Sequence, residues 1–207
     1  MKMNRRNVLG LLGLSAIAPV AFAAEAKKDE KKHEWPAKPT IPTDFNPEEF
    51  FVELSEKGEG LTIPGPKDAP VVYIVFDSQC PWCQWQYKEW KPFLGQVTFK
   101  WFPVAVLSPW SELQGATILA AKDPYEKFKE HEAHFKDADF RGLDVRGKEK
   151  DIPFEKRTAV WTNSKIARRS GVRTVPFAVM LKDGKYIPLN ETKTEEFAKL
   201  TGLTPKA

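Results

Sequence analysis

Cysteine and histidine are scarce in this sequence. Its 207 residues include two cysteines, Cys80 and Cys83, and three histidines, His33, His131 and His134. A zinc site needs further Cys or His ligands at suitable spacing, and a disulfide that closes so small a loop adds little stability. We therefore predict neither a structural metal site nor a disulfide staple, and we interpret His131 and His134 as exposed residues of a charged helix.

An excess of charge of one sign is also lacking over most of the chain. Three of the 32 basic residues lie in the first 23 positions, which contain no acidic residue, and the others nearly balance the 28 acidic residues. A near-neutral domain has no electrostatic reason to bind nucleic acid. The sequence shows no internal repeat.

A long apolar run is absent, but the N-terminus has the organisation of an export signal. Lys2, Arg5 and Arg6 precede the apolar stretch Val8–Val20, and Ala21-Phe22-Ala23 matches a cleavage site. The apolar stretch is too short to span a bilayer comfortably. We predict a signal peptide at 1–23 and a periplasmic protein. A twin-arginine or a general secretory signal, or an uncleaved anchor, are the alternatives left open.

The patterns after the signal predict one folded domain. Residues 24–45 are rich in Lys, Glu and Pro without apolar periodicity, which is typical of a disordered tether. Residues 46–207 are predicted to form the folded domain. Its predicted elements are, in chain order, helix 47–57, strands 61–63 and 71–76, helix 82–94, strand 97–106, helical block 109–135, loop 137–153 and helix 154–170. A hairpin of strands 176–181 and 185–189 and a last helix, 194–200, follow. In this last helix, Thr194 is the predicted N-cap and Leu200 is predicted to face inward. This order predicts an α/β fold built on a βαβ unit.

The two cysteines lie where a buried strand gives way to a helix. If the helix begins at Pro81, Cys80 is its N-cap, and its sulfur faces the unpaired N–H groups of the first turn. These groups and the helix dipole stabilise a thiolate, so Cys80 is predicted to be the attacking sulfur. Cys83, one turn later and shielded, is predicted to resolve the mixed disulfide. This chemistry needs no cofactor and no metal.

The strand–Cys-Pro-Trp-Cys–helix unit resembles the thioredoxin superfamily. Two stretches, Phe76-Asp77-x-x-Cys80-Pro81-Trp82-Cys83 and Ala116–Pro124, resemble the Dsb thiol–disulfide interchange proteins, in particular DsbC and DsbG. The resemblance implies a thioredoxin fold with a helical insertion between the βαβ unit and the C-terminal hairpin and helix. It also implies a cis peptide bond at Val175–Pro176, whose exposed backbone would pair with a substrate strand.

A substrate-binding surface is expected around the cysteines. Its predicted residues are Pro81, Trp82, Val175, Pro176 and Phe177, and Trp82 with Phe177 could form an apolar platform for extended polypeptide. The signals for the direction of the reaction conflict. Val175 stands before the proline as in DsbA-type oxidases, whereas Ile74 occupies the position at which those oxidases and thioredoxin carry a buried acid.

The sequence thus predicts a periplasmic protein thiol–disulfide oxidoreductase of DsbG/DsbC-like type. Its expected partners are unfolded or cysteine-containing secreted proteins and a membrane redox partner that recycles the disulfide. The segment ahead of the central strand is too short for the dimerisation domain of DsbC and DsbG, so we expect a monomer, or a dimer formed through some other surface. The alternatives are a DsbA-like dithiol oxidase, a Cu(I)-handling thiol module and a redox-silent chaperone-like binder.

Overall fold

Residues 41–190 and 192–206 are described by a computed structural model of the chain. The signal peptide predicted at 1–23 and residues 24–40 of the predicted tether lie outside the described residues. The ring of Phe45, at the end of the predicted tether, packs edge-on against the rings of Phe50 and Phe177 and belongs to the folded domain. Over the two described ranges, the chain forms no helix with the length and apolar character needed to cross a membrane.

A five-stranded sheet in the order β1-β3-β2-β4-β5 lies at the centre of the fold. The middle strand β2 (Val71–Phe76) pairs in parallel with β3 (Thr98–Pro103) and antiparallel with β4 (Phe177–Lys182). The outer strands, β1 (Leu61–Ile63) and β5 (Lys185–Asn190), pair antiparallel with their neighbours. The predicted central strand, βαβ unit and C-terminal hairpin are confirmed.

Helices cover both faces of this sheet. The helices of the described residues are α1 (Pro47–Lys57), α2 (Pro81–Trp90), α3 (Pro109–Ala120), α4 (Pro124–Ala133), α5 (Phe154–Arg169) and α6 (Thr194–Thr201). Because successive strand residues point to opposite faces, Ile74 and Phe76 enter one apolar cluster with α2, α4 and α6, whereas Val75 enters another with α1 and α5. The predicted helical insertion corresponds to α3, α4 and α5, which lie between β3 and β4.

Several helices begin with a capping side chain followed by proline. Asn46, Ser108 and Asp123 precede α1, α3 and α4, and each side chain accepts a hydrogen bond from a backbone N–H of the first turn. Proline suits the first helical position because its missing N–H would have no partner there. α2 begins in the same way at Cys80-Pro81, with a sulfur in the place of the capping oxygen.

The helix after the cysteines is shorter than predicted. α2 ends at Trp90 and is followed by a single 3-10 turn at Lys91–Phe93, because Pro92 cannot continue the helical hydrogen bonds. Its buried face carries Tyr87 and Trp90, whereas Trp82 and Trp85 are only partly buried.

The start and the inward face of the last helix also differ from the prediction. Lys193, not Thr194, is the N-cap of α6, and the Thr194 hydroxyl instead donates to the backbone carbonyl of Glu89 in α2 at 2.9 Å. Leu200 is 40% exposed, so its predicted inward orientation is wrong. Phe197 and Thr201 are the buried residues of this helix.

Candidate active site

Cys80 is the N-cap residue of α2. Its sulfur accepts a hydrogen bond from the backbone N–H of Cys83 at 3.4 Å, and its own N–H donates to the carbonyl of Asp77 at 3.0 Å. The predicted capping arrangement is confirmed. The sulfur therefore lies at the positive end of α2, where a helix stabilises negative charge.

The pKa values of the two thiols are shifted in opposite directions. The hydrogen bond from the Cys83 thiol, with backbone N–H groups of Cys83 and Trp82, lowers the pKa of Cys80 against the opposing effect of burial. Burial raises the pKa of Cys83 well above its usual value, and the neighbouring Cys80 raises it further. Cys80 therefore loses its proton more readily than Cys83.

Burial alone does not distinguish the two cysteines. Both are free thiols in this structure, and Cys80 is 3% exposed against 4% for Cys83. The two thiols therefore differ in pKa because of their different hydrogen-bond environments, and not only because Cys83 is shielded from solvent.

The loop before β4 lies against Cys80. The peptide bond Val175–Pro176 is cis, which confirms the expectation from the resemblance. The Cys80 thiol donates a hydrogen bond to the carbonyl of Val175 at 3.4 Å. Pro176 is buried, Val175 is partly buried and Thr174 is exposed. The Cys80 sulfur is therefore bordered by the backbone just before Pro176.

The expected aromatic platform is not formed as predicted. Phe177 is 2% exposed, and its ring packs against Phe45 and Phe50 in the cluster beneath α1. It therefore cannot present an apolar surface to substrate. Trp82 is partly buried and makes an edge-on contact with Trp85, with 6.5 Å between the ring centroids.

Asp77 is a buried residue of the site whose role the sequence analysis missed. Its side chain, 1% exposed, accepts hydrogen bonds from the backbone N–H groups of Gln79, Val106 and Leu107 at 2.8–3.0 Å. It also accepts one from the Ser111 hydroxyl at 2.6 Å. The carboxylate thus fixes the turn before Cys80 to the loop after β3 and to the start of α3. An acidic residue directly after an apolar strand was the available signal.

His131 lies behind this turn, which contradicts its predicted exposure. It is completely buried, its Nε2 donates to the carbonyl of Ser78 at 2.8 Å, and its Nδ1 accepts the N–H of Leu143 at 3.2 Å. A Cβ atom at Gly142 would overlap the imidazole ring. Burial lowers the pKa of His131 to about 4, although the Ser78 carbonyl opposes the shift. The ring is therefore a neutral support for the Asp77–Gln79 turn.

Glu132, the next residue of α4, carries a buried carboxyl oxygen. Within the described residues its Oε2 has no hydrogen-bond partner. Burial raises the pKa of Glu132 to about 7, and the positive charge of Lys88 and a hydrogen bond from Gln84 only partly offset this shift.

His131 and Glu132 should change stability with pH in opposite directions. The pKa of His131 falls from 6.5 to about 4 on folding, so its contribution to stability falls as pH drops through that interval. The pKa of Glu132 rises from 4.5 to about 7, so its contribution falls as pH rises through its own interval. The two slopes nearly cancel in the unaltered protein.

Single substitutions should expose these slopes. Between pH about 4.5 and 6.5, we expect the free energy of unfolding of Glu132→Gln to rise with pH by about 1.4 kcal/mol per unit. We expect His131→Gln to show the opposite slope. Denaturant unfolding across this pH range measures both, and identical pH profiles for the two variants would contradict the assignment.

The chain is similar in sequence to two curated relatives, although no family model matches it. It is 38% identical over 74 residues to the thiol:disulfide interchange protein DsbG of Escherichia coli (strain K12). This aligned stretch covers 34% of this chain and 30% of that protein. It is 29% identical over 115 residues to DsbG of Pseudomonas aeruginosa, and this aligned stretch covers 54% of this chain and 43% of that protein. The matches therefore span less than half the length of these relatives.

A solved structure shows the same fold. A periplasmic thioredoxin-like protein from Salmonella enterica serovar Typhimurium superposes with a TM-score of 0.57 at 14% identity, over 74% of this chain and 94% of that one. The predicted thioredoxin fold is confirmed by this likeness and by the strand order of the sheet. The chain therefore has a thioredoxin-like fold, and part of its sequence is similar to the Dsb thiol:disulfide interchange proteins.

Proposed function

We propose that this protein is a periplasmic thiol–disulfide oxidoreductase of DsbG/DsbC-like type, which exchanges disulfides with cysteine-containing exported proteins. The observation that carries the proposal is the position of Cys80 at the N-cap of α2, with its pKa lowered while that of Cys83 is raised. One thiol that ionises readily, beside a second thiol that resists ionisation, is the pair that exchange chemistry requires.

The proposed reaction has two steps. The Cys80 thiolate attacks one sulfur of a substrate disulfide, forms a mixed disulfide and expels the other substrate sulfur as a thiolate. Cys83 then loses its proton and attacks the sulfur of Cys80, which releases the first substrate sulfur. The substrate disulfide is reduced to two thiols while the protein gains the Cys80–Cys83 disulfide. The reverse sequence oxidises a substrate.

Substrate binding is assigned to the surface around the reactive sulfur. The carbonyl of Val175 lies 3.4 Å from the Cys80 sulfur, so the backbone before Pro176 can pair with an extended chain that carries the reacting cysteine. Pro81 is exposed and Trp82 partly exposed beside it. A membrane redox partner would return the Cys80–Cys83 pair to its starting state after each exchange.

The alternative as a Cu(I)-handling module is less well supported by the geometry. Binding of Cu(I) by two thiolates requires both sulfurs to be deprotonated, and burial opposes ionisation of Cys83.

A DsbA-like dithiol oxidase differs from our proposal in reduction potential rather than in the identity of the reacting sulfurs. The apolar, completely buried Ile74 favours the DsbG/DsbC-like type, whereas Val175 before the cis-proline favours the oxidase, so the reduction potential decides between the two.

Reduction of insulin by dithiothreitol tests the proposal, because the separated chains precipitate. We expect micromolar protein to shorten the time to precipitation several-fold, and the same protein with both cysteines alkylated to have no effect. Unchanged precipitation, together with tight binding of one Cu(I) ion per chain, would instead support the copper-handling alternative.

A further inference from the structure

An apolar groove lies beside the reactive sulfur, between α5 and two loops. It has a volume of about 460 Å³ and is lined by residues of segments 104–106 and 172–175 and of α5. Val175, whose carbonyl accepts from the Cys80 thiol, is one of its lining residues. We call it the α5 groove. Its volume falls in the range of ligand sites.

Large apolar side chains are exposed at the α5 groove. Val106 and Trp161 line it and are 54% and 46% exposed, and the adjacent Leu107 is 56% exposed. The backbone N–H groups of Val106 and Leu107 are bound by the buried carboxylate of Asp77. This edge of the groove is therefore held in place, and its apolar surface is available to a partner.

The rim of the α5 groove is basic. Lys165, Arg168 and Arg173 are exposed and line it, and the lining includes no acidic residue. The nearby Arg169 is paired with Glu53, whereas those three cations form no ion pair with any other residue of the described chain. The rim can therefore accept acidic groups without first breaking an existing pair.

We propose that the α5 groove binds the stretch of substrate polypeptide next to the reacting cysteine, and that it selects an apolar residue followed by acidic residues. This inference rests on the proposed function, because Val175 joins the groove to Cys80. A chain paired with the backbone before Pro176 would place its neighbouring side chains at Val106 and Trp161. Acidic side chains further along would reach Arg168 and Arg173.

Peptides carrying one cysteine activated as a mixed disulfide with 2-thiopyridine test this selection. The Cys80 thiolate attacks the peptide sulfur and releases thiopyridone, whose absorbance gives the rate. Two peptides differ only in whether a leucine beside the cysteine is followed by two aspartates or two lysines. At low salt we expect the acidic peptide to react about tenfold faster, and the difference to shrink as salt screens the charges.

Two variants assign the preference to the α5 groove. The double variant Arg168→Glu/Arg173→Glu is expected to slow the acidic peptide about tenfold and to speed the basic one. The control Lys185→Glu/Lys199→Glu makes the same change of charge at exposed positions of the hairpin turn and α6, away from the groove, and should leave both rates unchanged. Trp161→Ala should slow both peptides about fivefold through lost apolar contact.

The outcomes separate the groove from the exchange reaction. The neutral reagent 2,2′-dithiodipyridine measures exchange at Cys80 without the groove. If exchange with this reagent continues, equal rates for the two peptides, or equal effects of the two double variants, would overturn the α5 groove as a selective site. No reaction with that neutral reagent would overturn the proposed function itself.

Discussion

Replacing Cys80 by serine is expected to reduce disulfide exchange to the uncatalysed rate, a loss of at least about a thousandfold. A serine hydroxyl cannot form the mixed disulfide. Serine is also a favourable N-cap, so the hydroxyl can take over the hydrogen bond from the Cys83 N–H that the sulfur now accepts. The variant should therefore fold with nearly unchanged stability, and insulin reduction measures the lost reaction.

Cys83→Ser is the matched control for this variant. It keeps the attacking thiolate but removes the sulfur that resolves the mixed disulfide, so substrate should accumulate on Cys80 as a covalent adduct. Mass spectrometry under non-reducing conditions detects that adduct. An adduct on Cys83 in the Cys80→Ser variant, and none on Cys80 in the Cys83→Ser variant, would reverse the assigned roles.

Asp77→Ala is expected to destabilise the fold by about 4 kcal/mol, because it leaves several buried donors without an acceptor. The carboxylate accepts four hydrogen bonds, three of them from backbone N–H groups. Denaturant unfolding measures the loss. A change below about 1 kcal/mol would show that water replaces the carboxylate at little cost.

The negative charge of Asp77 should also act on the cysteines. It raises the pKa of both Cys80 and Cys83, so we expect Asp77→Asn to lower the pKa of Cys80 further. Ser111→Ala is the control, because it removes one hydrogen bond to the carboxylate and keeps its charge. We expect that control to cost about 1 kcal/mol of stability without moving the pKa of Cys80. The pH dependence of thiolate absorbance distinguishes the two variants.

The sequence predicted those features of the site that depend on local pattern. A β-branched apolar run identified β2, and Pro81 at the first helical position identified Cys80 as an N-cap. Both depend on neighbours along the chain, so the central strand and the N-cap position of Cys80 could be predicted without a structure.

The errors concern side chains whose surroundings come from distant segments. His131 lies in a charged stretch that predicts exposure, but the loop carrying Gly142 and Leu143 folds over it. Phe177 follows the cis-proline in sequence, but side chains alternate between the two faces of the sheet along β4, and the ring of Phe177 lies on the face that packs against α1. Asp77 gains its donors from the loop after β3 and from α3, about thirty residues away in sequence.

The most direct test of the account is an equilibrium titration of the Cys80–Cys83 pair against a series of glutathione redox buffers. Tryptophan fluorescence can follow it, since Trp82 stands between the cysteines. We expect one reversible two-electron transition, at a potential between roughly −120 and −270 mV. A value near the upper end would favour a dithiol oxidase, and one near roughly −200 mV or below would favour a reductase. The absence of any reversible transition would contradict the assignment of Cys80 and Cys83 as a redox pair.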